Sequence, residues 1–82
     1  MEAKKRKYYV LLKCNEWKEY SSMRIVGVFT WKGLIKVIKK RVKAGDFEFD
    51  NIKKIDQMIV NEIDNFLKYG HIIEVEINEE VG

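Results

Sequence analysis

Residues 7–14 read KYYVLLKC, and no register of this segment leaves it with a polar side. In an extended chain alternate side chains point to opposite faces, so Tyr8, Val10, Leu12 and Cys14 line one face and Tyr9, Leu11 and Lys13 the other. A strand that is apolar on both faces belongs inside a sheet whose faces are covered. The segment is therefore read as an inner strand, for which the rest of the chain supplies the neighbours.

Those neighbours follow from the remaining patterns. Residues 23–29 (MRIVGVF) form a second strand, in which Gly27 marks a bulge or a close approach of backbone. Thr30 is a good helix N-cap, Trp31, Leu34, Ile35, Ile38 and Val42 follow at spacings of three and four, and Gly45 suits the left-handed residue that ends a helix. Residues 46–50 (DFEFD) alternate acid with phenylalanine, the pattern of a short edge strand or an anchored loop. The stripe Ile52, Ile55, Ile59, Ile63 and Phe66 predicts a second helix, capped by Asp50 or Asn51 and ended by Gly70. Residues 71–78 (HIIEVEIN) give the last strand, with Ile73, Val75 and Ile77 on one side and Glu74 and Glu76 on the other.

The element order is ββα(β)αβ. If each element reverses the direction of the one before, the last strand runs parallel to the first and pairs with it, giving strand order 2-1-3. The predicted fold is α+β: two layers, a three-stranded mixed sheet (four-stranded if residues 47–49 join it) and two antiparallel helices on one face. A chain of 82 residues holds one core, so residues 1–82 form a single domain, with 1–6 as a basic N-terminal arm and 79–82 as a frayed tail.

Chemistry has few footholds here. In the parallel pairing, the one cysteine, Cys14, and the one histidine, His71, lie at opposite ends of neighbouring strands, roughly 20 Å apart at about 3.3 Å per residue. Cys14 is then a packing residue and His71 a strand-entry residue. No CxxC or HExxH motif occurs, and the acids Asp46, Glu48 and Asp50 lack the glycine and glutamate of a calcium loop, since Asn51 and Gln57 stand at those positions. No catalytic residue, metal site or cofactor is expected, and the chain is read as not an enzyme. A hydrophobic fraction of 46% excludes a disordered chain, and the absence of any long apolar window excludes a membrane span. A lone cysteine without an export signal fits the cytoplasm.

Charge is segregated. Residues 1–45 carry thirteen Lys and Arg against three Glu, whereas residues 46–82 carry three Lys against ten Asp and Glu. The first helix holds no acid at all, and Lys32, Lys36, Lys39, Lys40 and Lys43 form a basic stripe along it. Its like-charge i,i+4 pairs each cost on the order of 0.2–0.5 kcal/mol, a repulsion that an outside anion or the acidic half of the chain would relieve.

Two helices on one face leave the other face of the sheet bare. By alternation that face is expected to carry Tyr9, Leu11 and Ile72, with Trp17 and Tyr20 beside it in the 15–22 connection unless that connection folds over it as a lid. The functional expectation is a small binding module for a protein partner, a second copy included, acting through this face and the basic helix. The compact, proline-free, Lys- and Ile-rich chain suits an accessory protein of a mobile element or phage that inhibits or regulates a host factor. The alternative is RNA or DNA binding by the basic stripe and the N-terminal arm, with the aromatics of the basic half available for stacking.

Overall fold

The computed structural model describes residues 3–80, with side chains from 6 to 77. The strands are β1 (Ala3–Lys13), β2 (Arg24–Phe29), β3 (Glu48–Phe49), β4 (Leu67–Lys68) and β5 (Gly70–Glu80). The helices are α1 (Trp31–Ala44) and α2 (Val60–Phe66), and a 3-10 helix, Ile52–Gln57, precedes α2. The α+β class and the strand order are as expected: β1 lies between β2 and β5. The sheet is antiparallel throughout, however, rather than mixed, because β5 runs opposite to β1 from Ala3↔Glu80 to Lys13↔Gly70.

The reversal originates in the predicted second helix. Its periodic stripe is real, but the chain leaves helical geometry at Met58 and Ile59, whose backbone is extended. The break yields two short pieces, each of which puts one isoleucine, Ile55 or Ile63, fully into the core. Asn51 is no cap: it adopts a left-handed conformation (φ 62°) and makes no capping bond through its side chain. After α2 the chain forms β4, which pairs with β3 as a separate two-stranded ribbon, and turns at Tyr69 (φ 68°) directly into β5. Gly70 thus opens a strand instead of ending a helix, and residues 47–49 do not join the main sheet.

The first helix is as its sequence predicts. Thr30 Oγ1 accepts the Gly33 N–H at 3.4 Å, Gly45 closes the helix at φ 86°, and Leu34, Ile35 and Ile38 are buried. They pack on Tyr9, Leu11 and Ile72 together with Phe47, Ile55, Ile63 and Leu67. The register between β1 and β2 slips at Leu11/Leu12, leaving Val26 as the extra residue of a bulge beside Gly27. The N-terminal basic segment is not a free arm. Residues 3–7 are strand, paired with 76–80, so the positions expected to fray are also ordered backbone as far as Glu80, while residues 1, 2, 81 and 82 lie outside the described residues.

Candidate functional site

Which face of the sheet the helices cover is the finding that matters most for function. Tyr9, Leu11 and Ile72, expected on the bare face, are buried in the core beneath α1, and the Tyr9 ring packs edge-on against Trp31 with centroids 5.2 Å apart. The open face is the other one. Val10 stands between Val28 on β2 and Ile73 on β5, Leu12 stands between Ile25 and His71, and Tyr8 stands beside Val75. The outer members of this array are exposed: Ile25 at 72%, Val28 at 59%, Ile73 at 42% and Ile77 at 44%. At about 3.4 Å per residue and 4.8 Å between strands, the array measures on the order of 20 Å by 10 Å in plan.

The inversion has a physical reason. Lys13, Glu74 and Glu76 had marked their face as the wet one. On that side, however, α1 covers the middle of the sheet alone, and charged residues sit around the covered zone: Lys7 Nζ lies 3.3 Å from Glu74 Oε1 and Lys13 Nζ lies 3.8 Å from Asp46 Oδ1. Glu74 holds the Lys7 ammonium above its usual range by a hydrogen bond and by direct attraction. The alternation of β5 therefore turns its apolar side, Ile73, Val75 and Ile77, away from the helices. No aromatic signal could have revealed this, because Tyr8 and Tyr9 place a ring on each face of β1 for Trp31 to meet.

The 15–22 connection is not an aromatic lid. Trp17 and Tyr20 are 72% and 85% exposed. Lys18 does close one end of the open face, donating to the Asp64 backbone carbonyl at 2.5 Å and lying 3.3 Å from its Oδ1. Leu12 and Cys14 are buried at that end.

This same corner overturns the expected separation of cysteine and histidine. In the antiparallel register Leu12 faces His71 and the Cys14 N–H donates to the Tyr69 carbonyl at 2.9 Å, so Cys14 and His71 are diagonal neighbours on one face. Asp64 Oδ1 lies 2.9 Å from His71 Nδ1 and accepts the Ile72 N–H at 3.0 Å. The order Cys–His–Asp has the makings of a nucleophilic triad. Against that reading, burial pushes the Cys14 thiol up, the nearby Asp64 charge raises it further, and Lys18 offsets only part of this. A nucleophilic thiol needs the opposite shift and an open approach. Asp64 instead ties the connection, α2 and β5 together. Among the described residues no cluster of three or more His, Cys, Asp or Glu could hold a metal ion.

On α1, the basic stripe is exposed along its length. Among the described residues Lys39 alone of the five is neutralised, with its Nζ 2.9 Å and 3.1 Å from the two Asp56 carboxylate oxygens. Among the described residues no ion pair forms at Lys32, Lys36, Lys40 or Lys43. The acidic half of the chain thus leaves most of the stripe open: Asp46 pairs with Lys13 and Arg41, Asp64 with Lys18 and His71, and Glu74 with Lys7, while Glu48, Asp50 and Glu62 reach none of the five lysines. Since α1 packs on the inner face, the lysine stripe and the open apolar face lie on opposite sides of the molecule. They do not form one continuous surface.

No protein-family model, curated protein or solved structure matches this chain. Among the described residues no helix is long and apolar enough to cross a membrane.

Proposed function

We propose that the chain is a small non-enzymatic binding module that engages a protein partner through the open face of its sheet, acting by occupying a surface as an inhibitor or regulator does. The observation that carries this reading is the orientation of β5: an amphipathic strand whose apolar side, Ile73, Val75 and Ile77, faces outward and continues across β1 and β2 as Val10, Val28 and Ile25. An apolar array of a few hundred Å² is the size at which a monomer usually has an interaction reason. Its centre carries no charge, so the occupant is an apolar protein surface, and a second copy of this chain offers one such surface.

The test is a comparison of the native chain with a Val28→Glu, Ile73→Glu double variant. Both side chains are exposed, so the fold should survive, as unfolding in urea would verify. The expected result is a self-associated or partner-bound native chain and a variant that has lost that association in sedimentation and in capture. If native chain and variant sediment as the same monomer and retain the same proteins, the reading fails.

The second reading, nucleic-acid binding, is favoured by the open lysines of α1, but its N-terminal arm is taken up in pairing with an acidic strand. It requires affinity that falls steeply with salt as counterions are released. A chain that gives no mobility shift with single- or double-stranded probes at low salt excludes it.

A further inference from the structure

A seam runs along α1 on the side away from the open sheet face, between that helix and the segment joining the 3-10 helix to α2. One hollow in it is lined by Trp31, Lys32, Ile35, Lys36, Lys39 and Asp56. A second is lined by Tyr9, Trp31, Met58, Ile59 and Val60, with the Lys7–Glu74 pair at its edge. Trp31 belongs to both, so the two hollows meet at its indole. Three features give the seam a chemical character. Its middle is apolar, and the break between the 3-10 helix and α2 holds Ile59 out into solvent as a lip. Its ends are closed by internal ion pairs, Lys39 with Asp56 and Lys7 with Glu74. Between them stand Lys32 and Lys36, one helical turn apart and without a carboxylate among the described residues.

We infer that this seam is a docking groove for an acidic, extended segment of another protein, with one apolar side chain lodged between Trp31 and Ile59 and two carboxylates, at alternate positions, on Lys32 and Lys36. The spacing fits. Same-side residues of an extended chain repeat at about 6.8 Å, and side chains one turn apart on a helix stand about 5–6 Å from each other, a difference that lysine stems absorb. A phosphate backbone fits less well, because the floor between Trp31 and Ile59 is apolar and suits a hydrophobic side chain better than a sugar. The inference rests on reading the chain as a protein-binding module, but on a different face, so the two can fail separately.

The experiment uses the full chain carrying Trp17→Phe, which removes an exposed indole and leaves Trp31 as the one reporter. The probe is a short synthetic peptide with two glutamates at alternate positions and one phenylalanine. A saturable change in Trp31 emission is expected, weakened about tenfold or more by Lys32→Glu with Lys36→Glu, and similarly by Ile59→Ser. The Val28→Glu, Ile73→Glu variant should bind this peptide as the native chain does. The same peptide with glutamine for glutamate should bind at least about tenfold more weakly. The inference is overturned if the emission does not change, if charge reversal at Lys32 and Lys36 leaves affinity intact in a chain that still melts cooperatively, or if an oligonucleotide of equal charge displaces the peptide and binds more tightly.

Discussion

Gly70 begins β5 at a point where the core comes up against the backbone. A Cβ there would stand 2.6 Å from Leu67 Cδ2 and 3.0 Å from Phe47 Cε1, and both of those side chains are fully buried. Neither can retreat without disturbing its neighbours. Gly70→Ala is therefore expected to cost about 1–3 kcal/mol, the usual range for overpacking, read as a lower urea midpoint at unchanged slope. Gly27 offers a control. Its Cβ would meet the tip of the Phe29 ring at 2.8 Å, but that ring is partly exposed and can swing aside, so Gly27→Ala should cost less. If the order of the two effects were reversed, the packing described for the 67–70 corner would be wrong. The sequence alone offered Gly70 as a helix terminator, since a glycine needed for close approach and one needed for a turn look the same without the residues it approaches.

At the level of elements, α1 was almost wholly legible, because cap, stripe and terminating glycine agree with one another and none depends on distant contacts. Its charge was legible too. Lys36 stands one turn from both Lys32 and Lys40, so Lys36→Glu turns two repulsions into attractions and should raise stability by on the order of 0.5–1 kcal/mol in thermal or urea unfolding. A loss instead would mean that an internal carboxylate already holds Lys36. The 52–66 segment was half legible. Ile52, Ile55, Ile59, Ile63 and Phe66 keep helical spacing, and a spacing of three is equally that of a 3-10 turn. What the pattern could not reveal is that Ile59 stays out of the core while Ile55 and Ile63 enter it from separate pieces. Nor did it reveal β4 and the turn at Tyr69, after which β5 runs antiparallel to β1. The side of the sheet was illegible for a related reason: β1 is apolar both ways, so the decision fell on the charges of its neighbours, and those sit beyond the reach of α1 instead of opposite it.

The molecule as a whole is a thin plate, 45 × 30 × 19 Å, with helices on one side and nothing among the described residues over most of the other. A folded chain of this shape should bind a hydrophobic dye without unfolding, a property more familiar from partly folded states. The Val28→Glu, Ile73→Glu variant should lose that dye fluorescence while keeping the native unfolding free energy within about 0.5 kcal/mol, as expected for surface substitutions. A native chain that leaves the dye dark would indicate that the face is already occupied, most simply by its own copy, and dilution would then bring the signal back. The pairing of β1 with β5 along its full length has a further consequence, for the order of assembly. During synthesis the central strand emerges well before its long partner, so the portion of the domain made before β5 cannot reach the finished topology by itself. Until residues 70–80 leave the ribosome, a strand greasy on both sides waits with one edge vacant, and the safe interval for folding is set by translation time as much as by chain collapse.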